Sequence, residues 1–137
     1  VGIWEYNTEW QPAENTLNEL ILDRSDIISF HCYEPREKLT AVIESLKTYG
    51  RPLLCTEWLA RTAGSTVDLL EVFAEHGVGA INWGFVDGRT QTRFPWRSWT
   101  EPMTDEEPWF HELLHRDGSP YDVKEVETFR RLTSLHT

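Results

Sequence analysis

The fold of this chain is decided by the stretch RPLLCTEW, which runs from Arg51 to Trp58. Its apolar part, Pro52 to Cys55, is entered through a proline and has the length of a buried β-strand. Glu57 follows this run, so its carboxylate is expected at the carboxyl-terminal tip of the strand. In folds with parallel strands, ligands bind at that edge. Glu57 is therefore a candidate functional carboxylate, and the alternative is a solvated loop residue.

Strand and helix patterns alternate along the chain on both sides of this strand. Strands are predicted at residues 1–4, 27–33, 52–57 and 78–86. Helices are predicted at residues 15–22, 35–50, 65–77, 108–115 and 122–136, and residues 87–107 are predicted to be a long loop. Strands that alternate with helices build parallel sheets with right-handed crossovers, so we expect one α/β domain over residues 1–137. A loop of that length in a compact domain is usually functional.

The composition is that of a soluble globular domain, with 39% hydrophobic and 26% charged residues in a chain of 137. The net charge of −10 argues against binding to nucleic acid or to an anionic membrane surface. No apolar run is long enough to span a bilayer. Seven tryptophans are many for this length, and they fit either a large core or a groove that stacks sugar rings.

The two cysteines, Cys32 and Cys55, each lie inside an apolar strand-like run without CxxC spacing. We interpret them as buried free thiols rather than a disulfide or a metal site, which is weak evidence for a reducing compartment such as the cytoplasm. Neither a signal peptide nor metal-ligand spacing is recognised, and no cofactor is expected. The chain begins without Met inside a predicted strand, which suggests a processed, truncated or excised chain.

Four chemically useful side chains fall at the ends of neighbouring predicted strands: His31, Tyr33, Glu57 and Trp83. If their strands are parallel, these side chains converge on one pocket. A carboxylate there can attack or stabilise an anomeric carbon, and a phenol can position it. An imidazole can bind sugar hydroxyls, and an indole can stack on the ring. The pattern is therefore typical of a sugar-cleaving site.

Each of these residues also has a structural interpretation. His31 alone is more often a hydrogen-bonded structural histidine, and Tyr33 and Trp83 alone are more often core residues. Three further tryptophans could simply pack around the long loop: Trp96, Trp99 and Trp109. The convergence of four such residues at strand ends is what favours a functional site.

Three segments together carry a family resemblance: residues 26–33 (DIISFHCY), 51–58 (RPLLCTEW) and 80–84 (AINWG). In order and spacing they resemble the second half of a clan A glycoside hydrolase. The resemblance is strongest to bacterial cellulase-like family 5 enzymes, and family 2 β-galactosidases share the clan. It implies a (β/α)8 barrel, of which this chain would form a (β/α)4 half from strands 5 to 8, and retaining hydrolysis of β-linked sugars.

The resemblance also implies roles for individual residues. Glu57 matches the nucleophile that ends strand 7, His31 and Tyr33 match the His-x-Tyr pair of strand 6, and Trp83 matches the strand 8 indole of the sugar subsite. Further candidates for substrate contact are Trp58, Asn7 and Trp96. The substrate is expected to be a carbohydrate, of the β-glucoside, β-galactoside or β-glucan type.

The chain departs from the family because the acid/base, an Asn-Glu pair ending strand 4, has no counterpart here. A lone half-barrel would expose sheet edges and an apolar interior. We therefore expect either a missing N-terminal half-barrel or a symmetric homodimer that closes eight strands. In the dimer Asp87 would approach the partner's Glu57, and Glu5 or Glu9 are the other acid/base candidates. Two alternatives remain: a carbohydrate-binding or catalytically impaired module, and a purely structural subunit.

Overall fold

A computed structural model describes residues 16–133 of the chain. The first predicted strand, residues 1–4, lies outside the described residues, as do the candidates Glu5, Asn7 and Glu9. The helices are α1 (Thr16–Arg24), α2 (Arg36–Lys47), α3 (Leu69–His76) and α4 (Val123–Thr133). The strands are β1 (Ile28–His31), β2 (Leu53–Glu57) and β3 (Gly79–Ala80), and short 3-10 turns occupy Arg61–Ala63 and Trp96–Trp99.

The three strands form one parallel sheet in the order β1-β2-β3. Ile28 lies opposite Leu53 in the first pair of strands, and Cys55 lies opposite Ala80 in the second. Helices α2 and α3 make the two connections, as parallel strands require. The prediction of an α/β domain with parallel strands is confirmed for the described part of the chain.

The core lies between the sheet and the helices. Strand β1 alternates buried and half-buried residues, and α2 presents a buried apolar face with helical spacing. The fully buried side chains that fill the centre include Leu22, Ile28, Phe30, Leu39, Ile43, Leu46, Cys55, Trp58 and Leu69. This core fixes the carboxyl-terminal ends of β1 and β2, where the candidate residues lie.

The segment 51–58 also holds α1 in place, through Arg51. The guanidinium group of Arg51 donates hydrogen bonds to the carbonyl oxygens of Leu22, Asp23 and Ser25. These carbonyls lie at the carboxyl-terminal end of α1, where backbone acceptors lack partners within the helix and the helix dipole favours a cation. Arg51 therefore joins the end of α1 to the start of β2.

The strand predicted at residues 78–86 is wrong in extent, since only Gly79–Ala80 is regular. The amide of Ile81 still donates to the carbonyl oxygen of Cys55 at 2.8 Å. The amide of Trp83 donates to the carbonyl oxygen of Trp58 at 2.9 Å. At Gly84 the backbone turns with φ +82°, where a Cβ atom would lie 2.7 Å from the Cβ of His111. This close approach, four residues beyond the regular part of the strand, needs a glycine in a left-handed conformation.

The helix predicted at residues 108–115 is also wrong. The amides of Leu113 and Leu114 both donate to the carbonyl of Phe85, and Leu114 forms a parallel bridge to Val86 and an antiparallel one to Pro120. These backbone groups bond to distant segments instead of to the residue four positions earlier. Tertiary pairing has overridden the helical spacing of the apolar residues here.

Two of the remaining elements are shorter than predicted, whereas α1, predicted at residues 15–22, extends to Arg24. The strand predicted at 27–33 is Ile28–His31, and the helix predicted at 65–77 is Leu69–His76. In residues 16–133 no helix has both the length and the apolar character needed to cross a membrane.

Candidate functional site

Three of the predicted site residues lie together at the carboxyl-terminal ends of β1 and β2. The Tyr33 hydroxyl donates a hydrogen bond to Glu57 Oε2 at 2.8 Å, and His31 Nδ1 lies 3.2 Å from the same oxygen. The strand pairing places His31 directly opposite Glu57, after an irregularity between Phe30 and His31. The parallel register of the two strands therefore brings an imidazole and a phenol to one carboxylate.

The two oxygens of Glu57 have different surroundings. Oε2 is the nearer oxygen in both contacts, whereas Oε1 makes no hydrogen bond with any of residues 16–133. The side chain is 20% exposed, so the carboxylate is accessible without being fully solvated. One oxygen is thus held in position and the other is available to a ligand.

Tyr33 is suited to a permanent donor role in this cluster. Burial, and then its hydrogen bond to Glu57, raise the pKa of the Tyr33 hydroxyl far above its usual value. The phenol therefore keeps its proton across the physiological pH range. Its ring also meets the edge of the Trp96 indole, with the ring centroids 5.2 Å apart.

Trp96 belongs to an aromatic cavity of about 430 Å³ beside this cluster. The loop 87–107 supplies most of its wall, so the long loop does enclose a space. The cavity is lined by Trp83, Thr90, Gln91, Thr92, Phe94, Trp96, Ser98, Trp99, Glu101, Pro102, Met103 and His111. Two predicted residues, Trp83 and Trp96, are thus brought to one cavity, and both are about two-fifths exposed. Tyr33 connects the cavity to Glu57.

His111 is a residue of this cavity that the sequence did not reveal. It is 2% exposed, and its Nδ1 bonds to the carbonyl oxygen of Leu59. Its ring lies 5.7 Å from the Tyr33 ring and 6.0 Å from the Trp96 ring, measured between centroids. The sequence pattern predicted a helix over this segment, so it contained no signal that could place His111 near Tyr33.

Trp58 was expected to contact substrate, but the structure places it in the core. Its side chain is fully buried and packs against Phe73 at 5.3 Å and Phe129 at 6.2 Å between ring centroids. A substrate cannot reach it without opening the core. The role of Trp58 in this structure is packing, and the same holds for the buried Trp109, which stacks on Tyr121 at 4.7 Å.

Asp87, an acid/base candidate, is held by arginines of its own chain. Arg93 Nε lies 3.4 Å from Asp87 Oδ1, and Arg116 Nε lies 3.2 Å from Asp87 Oδ2. The side chain is 14% exposed. Neither contact joins Asp87 to Glu57.

Cys55, two residues before Glu57 in β2, is a poor candidate for a nucleophile. Both cysteines are buried free thiols, and burial raises the pKa of the Cys55 thiol far above its usual value. A thiol that stays protonated is a poor attacking group. Glu57, in contrast, is partly exposed at this strand end.

No protein-family model matches the chain, and no curated protein is significantly similar to it. The resemblance to clan A glycoside hydrolases therefore stays a prediction made from the three segments quoted above. The functional assignment rests on that resemblance and on the geometry of the described residues.

Proposed function

We propose that this chain is a glycoside hydrolase module that acts on β-linked sugars, with Glu57 as the nucleophile of a retaining reaction. The observation that carries the proposal is the position of Glu57. Glu57 Oε2 is contacted by Tyr33 and His31, and the Tyr33 ring contacts Trp96, which lines the aromatic cavity. Indole rings of such a cavity suit the apolar faces of sugar rings, and a fixed carboxylate suits attack on an anomeric carbon.

In the proposed reaction Glu57 Oε1 forms a bond to the anomeric carbon while the bond from that carbon to the leaving oxygen breaks. An acid must protonate the leaving oxygen, and water then cleaves the glycosyl ester with the same group acting as base. Tyr33 and His31 would hold the carboxylate through both steps. The open question in this chain is which residue supplies the proton.

We assign the proton donor to a neighbouring subunit or to a segment outside the described residues. Under this proposal the chain is a half-barrel completed by a second copy of itself or by a missing N-terminal half. Three exposed apolar residues that follow β3 support an apolar partner surface there: Ile81, Phe85 and Val86. The acid/base would then be Asp87 of the second copy, or Glu5.

A second candidate function is sugar binding without turnover. The observation that favours it is the pairing of Asp87 with Arg93 and Arg116, since a carboxylate engaged by two arginines of its own chain is not free to contact a leaving oxygen. Binding without hydrolysis would leave the aromatic cavity as the functional feature.

Hydrolysis of an aryl β-glycoside distinguishes these functions. We expect the native chain to release the phenol and Glu57→Gln to lose at least about a thousandfold in kcat, because the attacking carboxylate is gone. Glu75→Gln, an exposed substitution on α3, is the matched control and should keep full activity. Activity that survives Glu57→Gln would remove the nucleophile assignment. Quenching of tryptophan fluorescence by sugars without turnover would select the binding function.

A further inference from the structure

His111 carries a hydrogen-bond acceptor whose position in the cavity is fixed by its neighbours. Its Nδ1 faces the carbonyl oxygen of Leu59, and a carbonyl oxygen can only accept a hydrogen bond. Nδ1 must therefore carry the proton. The other ring nitrogen, Nε2, makes no hydrogen bond with any residue in the described range 16–133, and His111 lines the cavity.

The charge state of the ring follows from its surroundings. Burial lowers the pKa of His111, and the nearby charge of Arg61 lowers it further, while the Leu59 carbonyl and Glu57 act in the opposite direction. The ring is thus neutral at physiological pH. A neutral ring with its proton on Nδ1 has a lone pair on Nε2.

The backbone on both sides of His111 is specialised for this placement. Leu59 has φ +78°, an uncommon conformation for a residue other than glycine, and it is fully buried. Its amide is held by the Ser65 hydroxyl at 3.2 Å, and its carbonyl is directed at His111. On the other side Gly84 leaves no room for a side chain against the His111 Cβ. Strained positions that a surrounding structure holds in place often mark functional sites.

From this geometry we infer that His111 is a specificity-determining residue that accepts a hydrogen bond through Nε2 from a hydroxyl group of a sugar bound in the aromatic cavity. The inference rests on the proposed function for its ligand class. Trp83 and Trp96 supply flat apolar faces in the same cavity, and these faces cannot distinguish one hydroxyl configuration from another. A buried acceptor in a fixed position can, because a sugar that lacks the matching hydroxyl leaves the acceptor unpaired.

Two substitutions of His111 distinguish the roles of its two ring nitrogens. In His111→Asn the side-chain amide can still donate to Leu59 from the place of Nδ1, but nothing remains at the place of Nε2. In His111→Gln an amide reaches the place of Nε2 and the bond to Leu59 is lost. We expect His111→Asn to keep a folded cavity and to bind cellobiose about tenfold more weakly. His111→Gln should recover part of that affinity despite a lower unfolding midpoint.

The decisive measurement is the nitrogen spectrum of the imidazole in the intact chain, with the His111 signals assigned through their loss in His111→Asn. We expect a protonated Nδ1, an unprotonated Nε2, and a shift of the Nε2 signal when cellobiose, xylobiose, mannobiose or lactose is added. An Nε2 proton at neutral pH would overturn the inference, and so would an Nε2 signal that none of the four sugars moves.

Monodeoxy analogues of the sugar that binds then identify the hydroxyl. One analogue should bind the native chain about tenfold more weakly yet bind His111→Asn no more weakly than the parent sugar does. If every analogue loses affinity equally in both proteins, His111 has no partner hydroxyl and the inference fails.

The inference and the proposed function can fail separately. Turnover that Glu57→Gln abolishes, together with an Nε2 signal that sugars leave unmoved, would retain the hydrolase and reject the role of His111. A sugar-dependent Nε2 shift without turnover would retain His111 as a binding residue and reject the hydrolase.

Discussion

Two carboxylates of this chain, Glu57 and Glu112, have opposite environments. Glu57 is partly exposed, and its carboxylate accepts a hydrogen bond from the Tyr33 hydroxyl. Glu112 is fully buried, with Oε1 accepting a hydrogen bond from the Thr92 hydroxyl. Its Oε2 is also buried and has no hydrogen-bond partner among residues 16–133. Burial raises the pKa of Glu112, and the negative charge of Asp87 adds to that rise, while the Thr92 bond and Arg61 oppose it.

Glu112 is therefore expected to destabilise the fold at neutral pH. Its pKa in the folded chain exceeds that in the unfolded chain. The stability it contributes is fully present below the unfolded value, near 4.3, and is lost as the pH rises through the folded value. Glu112→Gln cannot ionise and keeps an acceptor for Thr92. In urea unfolding at pH 7 we expect Glu112→Gln to be more stable than the native chain by about 1 kcal/mol, with the difference shrinking toward pH 4.

The exposed substitution Glu75→Gln is the control for this experiment and should show no such pH-dependent gain. A Glu112→Gln variant that is less stable than the native chain at pH 7 would mean that the ionised carboxylate has a favourable partner in the fold.

At the level of single residues, strand register made the first cluster predictable. His31 and Glu57 end adjacent parallel strands, and Tyr33 lies two residues beyond His31 on the same face. The order of parallel strands is enough to predict that these residues meet at one edge of the sheet, but alternation alone is not, because the pairing skips Thr56 between Cys55 and Glu57. His111 depends on pairing between residues that are far apart in the chain, with Phe85 receiving the amides of Leu113 and Leu114. No periodicity within residues 108–115 encodes such a pairing.

The same distinction holds for whole elements. Helix α2 could be predicted because its buried residues follow a helical period and Gly50 follows its end. Strand β3 could not be bounded, because the residues that follow it bond to distant segments, with Trp83 on Trp58 and Val86 on Leu114. Elements decided by their own sequence were predictable, and elements decided by a distant neighbour were not.

At the scale of the elements, the hydrogen bonds from Arg51 to the end of α1 should make a measurable contribution to the free energy of unfolding. Its planar guanidinium reaches the carbonyls of Leu22, Asp23 and Ser25, which the single ammonium group of a lysine cannot match. We expect Arg51→Lys to lower the free energy of unfolding by about 1–2 kcal/mol, measured by urea unfolding and followed by circular dichroism. Arg24→Lys, at an exposed position on α1, is the matched control. Equal effects of the two substitutions would show that charge alone matters at this helix end.

At the scale of the whole molecule, the surface that follows β3 carries exposed apolar side chains among the described residues. The side chain of Phe85 is 63% exposed, and it borders an apolar cavity of about 330 Å³ with Leu113, Pro120 and Phe129. Apolar groups of this size on a surface are unfavourable in water unless something covers them. The proposed homodimer and the proposed N-terminal half-barrel would each offer such a cover, and the two proposals differ in where the acid/base would lie.

A mixing experiment distinguishes the two. If a symmetric dimer builds each site from Glu57 of one chain and Asp87 of the other, Glu57→Gln and Asp87→Asn are each inactive alone. After unfolding and refolding together, half of the dimers are mixed and each carries one intact site, so about a quarter of the native activity should return. The native chain should also sediment as a dimer. Each variant refolded alone at the same total concentration is the control. A monomeric mass, or a mixture as inactive as its components, would rule out the shared site. The acid/base would then have to be a residue other than Asp87.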